Sequence, residues 1–282
     1  MSALPLTQRL ACWWMIFRIA LEERLAYRGD FALGTLMRFL PIITQIFLWW
    51  AVYDAVGSGQ AEDATLAGYT FQNIVAYYLL SMLGRAFSSM PGLASSVAKQ
   101  IREGDVKKFL VQPIDMISFL LLGRAAHKVA YYTIATLPFA LVFFLCRQYF
   151  TEGWPPAEVL LAFVLSLLLA FMLGYFLDLC IGLIGFWFLE VSSLLFIYML
   201  LNFFLSGHMF PLDLLPEPWR TMVDYLPFKY LAYFPAAIFL GKIEAGQLWQ
   251  QIGIEVLWLV TLVLVARGLY AAGLKRYSGY GG

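Results

Sequence analysis

The sequence predicts an all-α integral membrane protein with six transmembrane helices. Of its 282 residues, 62% are hydrophobic and only 13% are charged, which excludes an ordinary soluble domain of this size. The mean hydropathy is +0.75, and the apolar residues are gathered into long runs. A helix that crosses a bilayer needs about 20 mostly apolar residues, and several runs reach that length. We therefore expect a polytopic membrane protein.

An amphipathic helix is predicted in residues 1–30, ahead of the first span. The charged residues between Arg18 and Asp30 fall largely on the other side of the helix from the apolar ones, so we expect it to lie flat in the cytoplasmic interface. An unusually long first span is the alternative, which these charges disfavour. They also interrupt any signal-peptide pattern. The apolar positions at helical spacing are Leu10, Trp13, Trp14, Phe17, Leu21 and Leu25.

The six-span domain is expected to occupy residues 31–282. Between the fifth and sixth spans, residues 209–240 contain too many prolines for one continuous helix and are too apolar for a solvated loop. Short broken or re-entrant helices at the outer surface fit this composition, since Trp and Tyr favour the interface. The predicted spans are 31–54, 69–90, 116–146, 158–188, 191–207 and 248–270.

Basic residues set the expected orientation. With both termini inside, the inner segments hold most of the Lys and Arg residues, whereas the outer loops hold Arg147, Arg220, Lys229 and Lys242. Both termini are therefore predicted to be cytoplasmic.

A charged island, Lys99-Gln-Ile-Arg-Glu-Gly-Asp-Val-Lys-Lys108, separates the second and third predicted spans. Its position predicts a docking surface for a cytosolic partner, although a solvated loop is also commonly charged. Gly104 is the expected point at which a helix ends or turns. The apolar residues expected to form a contact face for the partner are Val97, Ile101, Val106, Phe109 and Leu110.

Polar side chains at membrane depth are the second group of candidates. Asp178 in the fourth span is a functional-site hypothesis, and Asn202 and His208 in the fifth are candidates to line a path. Interhelical hydrogen bonding is the alternative for the latter two. The stronger alternative for Asp178 is a structural ion pair with Arg38, Arg85, Arg124 or Lys128.

Several kinds of chemistry find no support in the sequence. It lacks the phosphate-binding G-x-x-x-x-G-K-[ST] pattern and the H-E-x-x-H zinc pattern. Cys12, Cys146 and Cys180 have no CxxC spacing, so neither a disulfide framework nor a zinc site is expected. We expect no catalytic residue, metal or cofactor in this chain, and no nucleic-acid partner.

The order of these elements resembles the ABC-2 type permeases, most closely their DUF990-like branch, over nearly the whole chain. The resemblance rests on Ile101-Arg102-Glu103-Gly104-Asp105 running to Phe109-Leu-Val-Gln-Pro113, and on Phe204-Leu-Ser-Gly-His-Met-Phe-Pro211 before the broken helices. It implies an exporter permease in a bacterial-type cytoplasmic (inner) membrane. Its implied partners are a second ABC-2 permease or a second copy of itself, and a cytosolic ABC ATPase that holds ATP and Mg.

The resemblance also implies roles for two segments. Residues 95–113 would form the coupling helix that enters a groove on the ATPase, and the proline-rich segment would form the outer gate at Pro211, Pro216, Pro227 and Pro235. The coupling residues would be Val97, Lys99, Ile101, Arg102, Glu103, Gly104, Asp105, Phe109 and Leu110.

The expected substrate is amphiphilic or hydrophobic: a drug, an organic cation, a lipid or a glycan. Two other classes of protein remain as alternatives. An ion-driven secondary transporter would show inverted symmetry and acidic residues at broken helices near the midplane. A non-transporting scaffold subunit would need no polar path.

Overall fold

The computed structural model describes residues 6–26, 28–57, 64–112, 114–151, 153–188, 190–244 and 246–277, and this part of the chain is helical with no β-strand. Four short 3-10 turns connect the helices, at Arg147–Tyr149, Ile184–Phe186, Leu212–Leu214 and Pro227–Leu231. The α-helices are α1 (Leu6–Ala26), α2 (Arg28–Val56), α3 (Phe71–Ser88), α4 (Leu93–Arg102), α5 (Lys107–Val111), α6 (Met116–Leu145), α7 (Ala157–Leu183), α8 (Ser192–Leu205), α9 (Trp219–Asp224), α10 (Tyr233–Phe239) and α11 (Leu248–Arg276).

Four of the described helical segments are long and apolar enough to cross a membrane. They match the first, third, fourth and sixth predicted spans. The second predicted span corresponds to α3, which has 18 residues but is less apolar than the four segments, with Gln72, Asn73 and Arg85 among its residues. The fifth corresponds to α8, which has 14 residues and falls short of the usual spanning length. The total of six spans stays a prediction. The four segments are Phe39–Val56, Met116–Leu145, Ala157–Phe186 and Leu248–Arg276.

The helix α7 lies at the centre of the bundle, where it packs against α3, α4, α10 and α11. Two glycines let its neighbours approach closely. A Cβ atom on Gly174 would lie 1.9 Å from the carbonyl oxygen of Ser88, and one on Gly182 would lie 2.8 Å from that of Ala94. Small residues permit such contacts between membrane helices. The glycines therefore fix the end of α3 and the start of α4 on α7.

The predicted N-terminal helix is present as α1, which packs against α6. One side of α1 is partly buried, at Trp13, Phe17 and Leu21, while Trp14 and Ile19 are exposed. The next helix, α2, begins at Arg28, and the domain boundary at residue 31 stays a prediction. The position of α1 in the membrane interface stays a prediction.

The proline-rich segment is broken into short helices, as its composition predicted. Pro211 precedes the Leu212–Leu214 turn, Pro227 begins the next 3-10 turn, and Pro235 lies in the first turn of α10. Proline costs little at such positions because the first N–H groups of a helix have no intrahelical partner. Pro216 is exposed, and its carbonyl oxygen accepts the N–H of Trp219 at 3.0 Å. Re-entry into the membrane stays a prediction.

An ion pair joins the start of α6 to α11. Asp115 is the N-cap of α6 and accepts the N–H of Ser118 at 2.9 Å, while Arg267 donates to both carboxylate oxygens, at 2.5 and 3.0 Å. Burial opposes the ionisation of Asp115, but the hydrogen bonds from Arg267 and Ser118 outweigh it and lower the pKa of this carboxyl group. Asp115 therefore contributes both a helix cap and an interhelical contact.

We expect Asp115→Asn to lower the free energy of unfolding at pH 7 by about 1–2 kcal/mol, because the charge-assisted contact with Arg267 is weakened while asparagine still caps the helix. Since the pKa is lower in the folded state, this stabilisation is complete above the unfolded value of 3.8 and is lost as the pH falls through the folded pKa. Melting in detergent should show a difference in Tm that shrinks below about pH 4. Glu23→Gln, at an exposed site on α1, is the control. A difference that does not vary with pH would contradict the assignment.

Candidate functional site

A cavity of about 770 Å³ lies between α2, α3, α7 and α8. Asp178, Asn202 and His208, which the sequence suggested separately, all line it. A cavity of this size is large enough for a drug-sized ligand. The candidate path residues therefore belong to one site, which we call the polar cavity.

Asp178 binds a tyrosine rather than a basic residue. The hydroxyl of Tyr198 donates to Asp178 Oδ1 at 2.6 Å, and Asn202 Nδ2 lies 3.5 Å from the same hydroxyl oxygen. Within the described part of the chain, no ion pair with Asp178 is formed. Tyr198 and Asn202 are four residues apart on α8 and so face the same side of that helix. The carboxylate is thus held by one hydrogen bond from α8.

The predicted ion-pair partners of Asp178 make other contacts. Arg124 donates to the carbonyl oxygen of Pro91 at 2.9 Å, and Lys128 donates to those of Ala86 and Ser89 at 2.5 and 2.7 Å. These carbonyls lie at the end of α3 and just beyond it, where basic side chains commonly bind. The guanidinium of Arg85 lies 5.7 Å from the centre of the Phe203 ring. The side chain of Arg38 lies outside the described residues.

The hydrogen bonds after α8 identify the tautomer of His208. Ser206 Oγ donates to the carbonyl oxygen of Asn202 at 2.5 Å and lies 2.6 Å from His208 Nδ1. Because a hydroxyl has one hydrogen, Nδ1–H must donate to Ser206, which leaves Nε2 of the neutral ring as an acceptor. His208 Nε2 and Asn202 Oδ1 are buried and accept no hydrogen bond from any described residue. This wall of the cavity therefore presents acceptors.

Tyrosine hydroxyls attach the segment after α8 to α3. Trp49 Nε1 donates to the Tyr78 hydroxyl at 2.8 Å, and that hydroxyl donates to the carbonyl oxygen of Met209. Tyr77 donates to the carbonyl oxygen of Gly207 at 2.5 Å. Since Tyr78 also lines the polar cavity, these bonds join the cavity wall to residues 207–209.

Asp213 is the centre of a second cluster in the proline-rich segment. Its Oδ2 accepts the hydroxyls of Tyr69 and Tyr233 at 2.7 and 2.8 Å, and its Oδ1 accepts Arg220 Nη2 at 2.9 Å. Tyr69 precedes α3, whereas the other three residues belong to the proline-rich segment. The sequence analysis, which relied on prolines, did not select this cluster. These polar contacts attach the proline-rich segment to Tyr69.

Helix α4 ends in a turn at Gly104, as the sequence predicted. Gly104 has a φ of +80°, its N–H binds the carbonyl oxygen of Ile101 at 3.3 Å, and the N–H of Asp105 binds that of Gln100 at 2.9 Å. This pair of bonds around a left-handed glycine is the Schellman motif. The hydroxyl of Tyr277, just after α11, donates to the carbonyl oxygen of Gly104 at 2.8 Å. Gly104 therefore ends α4, and its turn is attached to the end of α11.

The prediction that the apolar residues of this turn form an exposed contact face is wrong for four of them. Val97, Ile101, Val106 and Phe109 are buried in the core of the chain itself. Val97 and Ile101 are buried because α4 lies directly on α7, at Gly182, and the Phe109 ring packs 5.5 Å from that of Phe119 on α6. Leu110 remains exposed, at 51%.

The outer surface of the turn is charged. Lys99 lies 3.9 Å from Glu103, and Arg102 lies 3.8 Å from Glu190, both as exposed pairs that contribute little to stability. Asp105 is exposed as well. A partner that docks here would meet charged side chains, with Leu110 as an apolar addition.

Glu255 is a buried acid that the sequence analysis did not select. It lies in α11 and accepts the hydroxyl of Ser166 on α7 at 3.3 Å. The sequence could have indicated Glu255, because it is the single acid inside the apolar run 248–270 and ionisable residues at membrane depth are rare. Glu255 does not line the polar cavity.

Long apolar helices identify the chain as an integral membrane protein. Residues 39–281 match the family described as ABC-2 family transporter protein. The chain belongs to this family, as the resemblance predicted, and members of the family are transmembrane components of transporters. No curated protein matches the chain.

Proposed function

We propose that the chain is the permease subunit of an ATP-driven exporter whose substrate passes through the polar cavity. The observation that carries the proposal is the convergence of Asp178, Asn202 and His208 on one cavity among apolar helices. Polar groups at membrane depth typically mark substrate pathways. The substrate class is that of an amphiphilic or hydrophobic molecule, such as a drug, an organic cation, a lipid or a glycan.

The energy would come from a separate cytosolic ABC ATPase that binds ATP and Mg. The sequence contains no phosphate-binding loop, so a partner must supply ATP hydrolysis. The charged surface around Arg102, Glu103 and Asp105 is the proposed docking site. Because α4 is packed on α7, a displacement of this turn would move α7 as well.

Orientation and gating follow from the same arrangement. Basic residues favour a cytoplasmic position for the α4–α5 turn and for both termini, in a bacterial-type inner membrane. The Asp213 cluster and the tyrosine bonds to residues 207–209 would then close the outer end of the cavity. Transport would alternate between a state in which these bonds close the outer end and a state in which they are broken. A second permease, identical or related, would complete the path.

One observation favours an ion-driven transporter as a second candidate. Glu255 is fully buried in α11 beside Ser166, and intramembrane acids of this kind serve as proton carriers in pumps and transporters. Its place outside the cavity separates it from the proposed path. The non-transporting scaffold is less well supported, because a scaffold needs no polar cavity.

Affinity purification of the tagged chain from native membranes in mild detergent tests the ATPase partnership. We expect an ATPase with Walker motifs to co-purify, with or without a second permease. Repeated recovery of folded chain without any ATPase, in several detergents, would favour the ion-driven alternative. Stoichiometry in the purified complex would distinguish a homodimer from a heterodimer of permeases.

A further inference from the structure

We infer that the polar cavity selects amphiphiles that carry one protonated amine, with Asp178 as the counter-ion. The inference rests on the proposed function, because it names the substrate class of the same cavity. Four observations carry it: the charge of Asp178, the unpartnered acceptors beside it, the aromatic rings and methionines of the wall, and the position of Arg85.

Asp178 gives this part of the cavity wall a negative charge, while Arg85 lines the cavity as well. Asp178 receives one hydrogen bond from Tyr198 and forms no ion pair with a described residue. A carboxylate at membrane depth is costly unless a positive group is close. Arg124 and Lys128 act on it through space, but their hydrogen bonds go to backbone carbonyls near the end of α3. An ammonium group in the cavity would provide the missing direct contact.

The neighbouring polar atoms favour a ligand that donates hydrogen bonds. Asn202 Oδ1 and His208 Nε2 are buried acceptors without a partner among the described residues, and both residues line the cavity. A buried acceptor left unpaired is unfavourable, and a donor on the ligand would remove that penalty. A primary ammonium group has three N–H donors and no acceptor. Acetylating the amine removes both the charge and two of those donors.

The rest of the wall suits an apolar body of variable shape. Tyr198 contributes an aromatic ring, which attracts cations, and the thioethers are flexible and polarizable. Arg85 lines the same cavity and lies over the Phe203 ring, so its positive charge opposes a second cationic centre on the ligand. The site therefore fits a monocation with an apolar body. The methionines of the wall are Met37, Met82, Met90 and Met199.

A matched pair of fluorescent ligands tests the inference directly. The full chain in phosphatidylcholine nanodiscs is titrated with dansylcadaverine, a primary amine, and with its N-acetyl derivative, which has the same fluorophore without the charge. We expect the amine to bind at least about tenfold more tightly than the acetylated form, which corresponds to about 1.4 kcal/mol. Equal affinities would overturn the inference without any variant, as would tighter binding of a dansylated fatty acid, which would assign the cavity to anions through Arg85.

Charge-removal variants locate the site. We expect Asp178→Asn to weaken amine binding about tenfold and to leave the N-acetyl form unchanged, while Glu158→Gln, an exposed acid outside the cavity, leaves both unchanged. Unchanged amine binding in Asp178→Asn would overturn the assignment. If that variant does not fold, the affinities of the unaltered chain for the amine and for its N-acetyl form test the inference by themselves. The assay needs no ATPase, so a chain that co-purifies with an ATPase but ignores the amine would refute this inference and leave the proposed function standing.

Discussion

Gly174→Ala is expected to destabilise the protein by about 3 kcal/mol or more, at the upper end of the cost of overpacking a core. The added methyl carbon would lie 1.9 Å from the carbonyl oxygen of Ser88, 2.9 Å from the carbonyl carbon and 3.2 Å from the Cα atom. All three are backbone atoms, so no side chain can turn aside to relieve the clash. Melting followed by tryptophan fluorescence should show a fall in Tm of roughly 10 °C, or no folded protein at all.

Two further glycines provide a graded comparison. Gly182→Ala places the methyl carbon 2.8 Å from Ala94, so a smaller loss is expected, whereas Gly253 in α11 has nothing within 4 Å of the added atom. Gly253→Ala should leave Tm unchanged or slightly higher, because alanine favours a helix more than glycine does. Equal melting temperatures for the Gly174 and Gly253 variants would show that α3 and α7 are not packed this closely.

Arg102→Glu is expected to reduce the substrate-stimulated ATPase activity of the assembled transporter about tenfold, as for the loss of a charged docking contact. Arg102 is half exposed on the charged turn, and reversing its charge would oppose the partner that the turn is proposed to meet. Among the described residues Arg102 forms one ion pair, the exposed one with Glu190, so insertion and Tm should hardly change. The measurement is ATPase activity of the reconstituted complex with and without substrate.

Glu190→Gln is the matched control, since it removes the same ion pair and leaves the turn unaltered. Full stimulation in the control with loss in Arg102→Glu would locate coupling at the turn. Equal loss in both would assign the effect to the ion pair instead. Gly104→Pro is a poor probe here, because φ is +80° at Gly104 and its N–H is hydrogen-bonded. Proline would break the turn whatever the partner does.

The sequence predicted the long helices well and the shorter ones less well. Apolar runs longer than a bilayer identified α6, α7 and α11, since composition alone decides that question. The runs that became α3 and α8 were also predicted as spans. Residues such as Tyr77 and Leu79 of α3 are buried against protein. Apolar residues recur along a helix with the same spacing whether they face lipid or another helix.

The candidate site shows the same limit at the level of single residues. Asp178, Asn202 and His208 could be selected because polar atoms are rare in apolar helices, but their partners depend on packing between distant segments. A basic partner was expected for Asp178, and Tyr198 makes the contact instead. Val97 was expected to face an ATPase and is buried on α7. Spacing along a helix identifies its apolar side and does not identify what covers that side.

The central position of α7 has a mechanical consequence. Near its start, the Phe163 ring packs 5.3 Å from Phe239 of α10, and near its end Gly182 touches α4. These positions are about 29 Å apart along a helix, so a tilt of about 5° about one contact would shift the other by roughly 2.5 Å. The single helix α7 thus connects the α4–α5 turn to the proline-rich segment. A lever of this kind needs no relay of side-chain rearrangements between its two ends.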